Sequence, residues 1–124
     1  MKMFALILIG LLSSFSLFAE VPYTKEAFTK SQEKNEKIML QVHAGWCPVC
    51  KSEDKVFGKL KQEDYFKKVT YYQADYDKEA TLKKEMNVIS PGTLILFEGK
   101  KEVARIPGIQ SEEDFKRFAG KFFE

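Results

Sequence analysis

The feature that most limits the possible folds is an apolar segment that runs directly into the only two cysteines of the chain. "KIMLQVHA", residues 37–44, alternates apolar side chains and predicts a largely buried strand. "GWCPVCK" follows at once, with Cys47 and Cys50 separated by two residues. From Pro48 onward the spacing becomes helical, so the cysteines are expected between a strand end and the first turn of a helix.

The helix after Pro48 has an amphipathic pattern. Its apolar side chains fall on one face, and the intervening Lys, Ser, Glu and Asp side chains fall on the other face. Gly58 weakens this helix without ending it. The apolar face is made of Val49, Val56, Phe57 and Leu60.

The other segments complete an α/β arrangement. A parallel pair of strands followed by an antiparallel hairpin predicts a mixed sheet of about four strands, flanked by helices on both faces. Thr24 is the expected N-cap of the first helix, and Ser111 with Asp114 resembles a capping box at the last. The predicted helices are 24–36, 48 onward, 78–86 and 111–123, and the predicted strands are 37–44, 69–77, 93–97 and 101–106.

The first nineteen residues are typical of a secretory signal peptide. Lys2 supplies a minimal positive charge, "MFALILIGLL" is an apolar core, and Ala19 is a small residue suited to cleavage. The alternative is a retained membrane anchor, but this core is interrupted by serines and shorter than the about 20 apolar residues that a span needs. We therefore expect cleavage near Ala19, a single domain over residues 20–124, and an exported protein, periplasmic or secreted.

Charge and composition exclude some partners. The net charge of +2 falls to +1 when Lys2 leaves with the leader, and the charges are mixed in sign without a basic stripe. A nucleic acid or an anionic membrane surface is therefore not an expected partner. Eight of the eleven Phe residues and all five Tyr residues lie after the leader, enough for a real core in a domain of this size.

The chemistry of the cysteine pair follows from its position. Free N–H groups and the helix dipole favour a thiolate at Cys47, and a thiolate is the species that attacks a disulfide. Cys50 lies one turn further on the same face and can resolve the mixed disulfide. A zinc site would need two more ligands where only His43 is near, and covalent haem attachment would need His where Lys51 stands. A purely structural disulfide would close a very small loop and stabilise little.

"AGWCPVCK" after a buried strand resembles the W-C-x-x-C-K active site of the thioredoxin superfamily. "TLILFEGKKEV" and the later Gly108 resemble the hairpin and the glycine that pack beside that active site, so the resemblance covers the chain after the leader. It implies a thioredoxin-like fold. It also implies a redox disulfide between Cys47 and Cys50, supported by Trp46 and Pro48.

Two departures from the family pattern affect the surroundings of the cysteines. Many thioredoxins carry a buried aspartate six residues before the first cysteine and a lysine on the next strand. Here those positions are Gln41 and Gln73. Both charges are replaced by amides, as expected if a buried ion pair was exchanged as a unit. The alternative is two ordinary glutamines facing solvent.

The second departure lies in the loop that contacts substrate in this superfamily. The family pattern is x-Pro-Thr with a cis bond before the proline, whereas "ISPGTL" places Gly92 at the proline position and Pro91 one residue earlier. Three alternatives stay open: a cis Ser90–Pro91 bond, an unusual backbone conformation at Gly92, or a plain trans turn. Together with Thr93 and Gly108, this loop is expected to shape the substrate groove.

The resemblance and the residues predict a thiol–disulfide oxidoreductase. Its substrates would be proteins that carry disulfides, and it would receive electrons from a separate thiol donor or a membrane electron carrier. We expect a monomer that needs no cofactor or resident metal. The alternative function is binding or delivery of a metal such as copper through Cys47, Cys50 and perhaps His43, if that ring faces the sulfurs. The direction of electron flow stays open.

Overall fold

A computed structural model describes residues 20–124, and the predicted leader lies outside this range. Within it, no helix is both long and apolar enough to cross a membrane. The strands are β1 (Val21–Pro22), β2 (Lys37–His43), β3 (Thr70–Asp75), β4 (Leu94–Glu98) and β5 (Lys101–Ile106). The helices are α1 (Lys25–Glu33), α2 (Pro48–Leu60), α3 (Ala80–Glu85) and α4 (Glu112–Ala119), with a 3-10 turn at Asp64–Lys68.

The strands form one mixed sheet in the order β1-β3-β2-β4-β5. β2 is central and pairs in parallel with β3 and antiparallel with β4, while β4 and β5 form the predicted hairpin. The α/β architecture is therefore confirmed, with five strands rather than about four. The additional strand, β1, pairs through only two residues with β3, which is too short for an alternating pattern to appear in the sequence.

The sheet separates two apolar cores. Because successive side chains of a strand point to opposite faces, β2 contributes Ile38, Leu40 and Val42 to one core and Met39 to the other. The first core includes Phe28 of α1 and Leu82 of α3. The second is built on α2 and α4, and its members include Phe57, Leu60, Phe66, Phe115 and Phe123. Helices therefore cover both faces of the sheet, as predicted.

The predicted helix caps are present. The Thr24 hydroxyl accepts the N–H of Ala27 at 3.1 Å, and the Ser111 hydroxyl accepts the N–H of Asp114 at 3.1 Å. The Asp114 carboxylate accepts the N–H of Gln110 at 3.2 Å, not that of Ser111, so the reciprocal half of the capping box is displaced by one residue.

Candidate active site

Cys47 follows the end of β2 by four residues and forms the N-cap of α2. Its Sγ accepts the N–H of Cys50 at 3.1 Å, and Pro48 occupies the opening turn of the helix, where its missing N–H leaves no bond unmade. The Cys50 N–H, which has no acceptor within the helix, and the helix dipole both favour negative charge on the sulfur. This is the environment expected for an attacking thiolate.

The Cys50 sulfur has a different environment. Cys50 is fully buried, and its Sγ accepts the N–H of Ala44 at 3.5 Å. Burial and, to a smaller extent, the hydrogen bond with Cys47 together raise the pKa of the Cys50 thiol to about 12. Both cysteines are free thiols in this structure. The pair is thus asymmetric, with one sulfur at the helix N-terminus and one thiol held protonated beneath it.

Trp46 lies on the surface beside the cysteines. Its side chain is 61% exposed. Its indole N–H donates to the Asp77 carboxylate at 2.9 Å, and its ring packs edge-on against Tyr76 with centroids 6.4 Å apart. The loop after β3 therefore holds this aromatic ring in place next to the motif, where a substrate can contact it.

Gln41 and Gln73 lie opposite each other on neighbouring strands and are hydrogen-bonded. The Gln73 amide donates to Gln41 Oε1 at 3.0 Å, and the Tyr71 hydroxyl donates to the same oxygen. Gln41 is fully buried. The geometry therefore agrees with a linked pair of amides and not with two glutamines that face solvent.

Glu53 of α2 is a functional candidate that the sequence analysis missed. The prediction that the Glu side chains of this helix face solvent is wrong at this position, because Glu53 is 0% exposed. Its Oε1 accepts the Gln41 side-chain amide at 3.0 Å, and its Oε2 accepts the N–H of Ile109 at 3.2 Å. Burial raises the pKa of this carboxyl from its ordinary 4.5 to about 7. A buried carboxyl group is therefore placed one turn after Cys50.

The loop at residues 91–93 packs against the start of α2. The described residues contain no cis peptide bond, which excludes the first alternative. Gly92 has a positive φ of 91°, a conformation that a trans Pro-Gly turn of type II also requires, so this φ agrees with both the second and the third alternative. A Cβ at Gly92 would lie 3.0 Å from a Val49 methyl carbon, and a Cβ at Gly108 would overlap the same side chain. Both glycines thus allow the backbone to approach the helix closely.

Hydrogen bonding limits what this loop can offer to a substrate chain. The N–H of Gly92 donates to the carbonyl of Val42 at 2.8 Å, and the N–H of Val42 donates to the carbonyl of Thr93 at 3.0 Å. Pro91 has no N–H. Positions 91 and 92 therefore have no free N–H for a substrate strand.

His43 faces away from the cysteines. Its Nε2 lies 2.9 Å from the Asp54 carboxylate, on the outer side of α2. Over residues 20–124, no three His, Cys, Asp or Glu side chains are grouped so that they could hold a metal ion. The metal-delivery alternative, through Cys47, Cys50 and perhaps His43, therefore gains no third ligand from His43.

Comparison with known proteins places the whole arrangement in one family. The thioredoxin family model matches residues 19–121. A thioredoxin H-type of Brassica campestris is 28% identical over 67% of this chain and 66% of its own length. The thiol:disulfide interchange protein DsbD of Pectobacterium atrosepticum is 26% identical over 88% of this chain but only 20% of its own length.

Solved structures agree with the fold. Trxlp of Edwardsiella tarda superposes with a TM-score of 0.73 at 27% identity, covering 77% of this chain and 93% of that one. Thioredoxin from Trypanosoma brucei brucei superposes with a TM-score of 0.74 at 19% identity, covering 88% of this chain and 95% of that one, and this likeness shows the fold alone. The chain therefore belongs to the thioredoxin family of thiol–disulfide oxidoreductases.

Proposed function

We propose that this protein reduces or exchanges disulfides of protein substrates outside the cytoplasm, using Cys47 as the nucleophile and Cys50 as the resolving thiol. The observation that carries the proposal is the asymmetry of the two sulfurs. Cys47 Sγ caps the N-terminus of α2, whereas Cys50 is buried and its thiol has a pKa raised to about 12. Both cysteines are buried, but only Cys47 has its sulfur at a helix N-terminus, where a thiolate forms far more easily, so Cys47 attacks first.

The reaction follows from this order of attack. The Cys47 thiolate bonds to one sulfur of the substrate disulfide, and the other substrate sulfur leaves with the electron pair. Cys50 then attacks Cys47 Sγ, forms the Cys47–Cys50 disulfide, and releases the second substrate sulfur. The protein is oxidised and the substrate reduced. A separate thiol donor or membrane electron carrier returns the protein to the dithiol form.

Single serine substitutions test the assignment of the two cysteines. Cys50→Ser should accumulate a covalent mixed disulfide with a disulfide-bearing protein such as insulin, and the adduct should dissolve on addition of a reductant. Cys47→Ser should capture nothing, because the remaining Cys50 thiol has no exposed surface and its raised pKa keeps it protonated. Non-reducing electrophoresis and intact mass measure both results. Capture by Cys47→Ser, or by neither variant, would contradict the proposed roles.

The site of action depends on the leader. We propose that residues 1–19 direct export and that cleavage near Ala19 leaves Glu20 as the first residue, because the n-region, apolar core and small terminal residue occur in the expected order. The intact mass of the protein recovered from the periplasm or medium of an expressing bacterium should correspond to residues 20–124. A full-length chain retained in the membrane fraction would support the anchor alternative instead.

A further inference from the structure

Glu53 and Cys50 are neighbours on one helix. Residues three apart on a helix lie on the same face, with Cβ atoms about 5–6 Å apart. Both side chains are without exposed surface. The charge of Glu53 is one of the causes that raise the pKa of the Cys50 thiol, so the carboxyl is close enough to affect that sulfur.

The hydrogen bonds around Glu53 fix the position of its carboxyl group, but none of the donors carries a positive charge. The two donors on Gln41 Oε1, from Gln73 and Tyr71, oblige Gln41 to present its amide N–H to Glu53. The Ile109 N–H holds the other carboxylate oxygen. Neutral donors stabilise a carboxylate less than a paired cation does, so this group can take up a proton.

The titratable groups that face Glu53 come from two elements. On α2 these are Cys50 and the half-exposed Asp54, whose negative charge raises the pKa of Glu53. From β3, Tyr71 faces it and is itself held neutral, because burial raises the pKa of its hydroxyl. β2 and the segment before α4 contribute only amide groups, those of Gln41 and Ile109. None of these described groups is a cation.

We propose that Glu53 accepts the proton that Cys50 gives up when its sulfur attacks the mixed disulfide. The S–H bond of Cys50 breaks and its proton passes to the Glu53 carboxylate, directly or through one water molecule. The sulfur electron pair forms the Cys50–Cys47 bond, the Cys47–substrate bond breaks, and the electron pair leaves on the substrate sulfur. That thiolate takes a proton from solvent. This inference rests on the proposed function.

The mixed disulfide favours this transfer. In the free dithiol, a hydrogen bond with Cys47 and its charge help to raise the pKa of the Cys50 thiol. Once Cys47 Sγ is bonded to substrate, it carries neither charge nor proton, so both causes weaken. Burial then remains as the main cause that opposes ionisation of the Cys50 thiol. A proton acceptor inside the same buried site allows the thiol to lose its proton without contact with bulk water.

A two-step reaction with dithio-bis-nitrobenzoic acid separates the two cysteines. With one equivalent of reagent, Cys47 releases the first coloured thiolate and becomes a mixed disulfide. Cys50 then attacks this mixed disulfide and releases the second coloured thiolate. Because this step occurs within one protein molecule, its rate does not depend on the reagent concentration. In the native protein the rate of this second phase should rise as Glu53 ionises, near a pH of about 7.

Glu53→Gln should slow the second phase about a hundredfold near neutral pH, the lower end of what a general base contributes. In this variant the rate of the second phase should rise only at alkaline pH, while the rate of the first phase should be unchanged. Glu53→Asp keeps a carboxyl and should retain the neutral rise at a lower rate. Asp54→Asn removes the same charge from the adjacent, half-exposed position, so the second-phase rate should rise at a slightly lower pH, while both rates above that rise stay within about twofold.

A second phase that is equal or faster in Glu53→Gln would overturn the inference, because a carboxylate acting only as a negative charge hinders formation of the Cys50 thiolate. A first phase at the native rate reports that a variant is folded, since Cys47 reacts at a different rate without the environment of the helix N-terminus. Absence of the first phase in the native protein would instead contradict the proposed function. The two failures are therefore distinguishable.

Discussion

Glycine is required at position 108 for space, whereas at position 58 it only weakens a helix. A Cβ at Gly108 would overlap Val49 beside the active site, but one at Gly58 would meet nothing within 4 Å. Gly108→Ala should lower the free energy of unfolding by about 1–3 kcal/mol, as overpacking does. Gly58→Ala should raise it by up to about 1 kcal/mol, because Ala is the better helix former.

Urea denaturation of both variants measures these effects, and each is the control for the other. The cysteine reactivity of Gly108→Ala should also change, since Val49 follows Pro48 directly in the first turn of α2. A Gly108→Ala protein that is as stable as the native one would show that Val49 moves aside without cost, and that the close approach is not required.

α2 illustrates how far the sequence predicts an element and where it stops. The start of the helix, its cap position and its apolar face were predicted from Pro48 and the spacing of Val49, Val56, Phe57 and Leu60, because strong periodicity and a proline constrain local structure. Position 53 falls on that same face, four residues after Val49 and three before Val56. The spacing alone therefore predicts that residue 53 is buried. Glutamate side chains are usually exposed, however, so its residue type favours the opposite prediction.

The partners of Glu53 come from distant parts of the chain and could not be predicted from local pattern. Gln41 belongs to β2 and the Ile109 N–H to the segment before α4, so only the tertiary fold supplies these donors. The prediction that Gln41 and Gln73 act together was possible because the family resemblance aligned both strands. β1 was missed for a different reason, because a strand of two residues is too short to show an alternating hydrophobic pattern.

At the scale of the whole molecule, burial of Glu53 makes stability depend on pH. The pKa of its carboxyl is about 7 in the folded protein and near 4.5 when the chain is unfolded. Between these values the folded state binds a proton that the unfolded state has lost, so protonation of Glu53 favours folding there. The contribution is complete below the unfolded pKa and disappears as pH rises through the folded pKa.

The expected size follows from the difference between the two pKa values. At about 1.36 kcal/mol per unit, Glu53 should cost the native protein about 3 kcal/mol of stability between mildly acidic and neutral pH. Glu53→Gln lacks this titration, so the difference in unfolding free energy between the two proteins should shift by that amount in favour of Glu53→Gln. Other groups titrate equally in both proteins and cancel from the comparison.

Guanidinium denaturation of both proteins at a series of pH values measures the shift and the pH range over which it occurs. A shift that begins near the unfolded pKa of 4.5 and ends near the folded pKa of about 7 would mean that the buried carboxyl is neutral in mildly acid solution and ionises inside the domain. A pH-independent difference would mean that Glu53 is ionised throughout, with Gln41 and Ile109 sufficient to stabilise its charge. In that case the folded carboxylate would be too weak a base to take a proton from Cys50, and both the stability argument and the proton-transfer role would fail together.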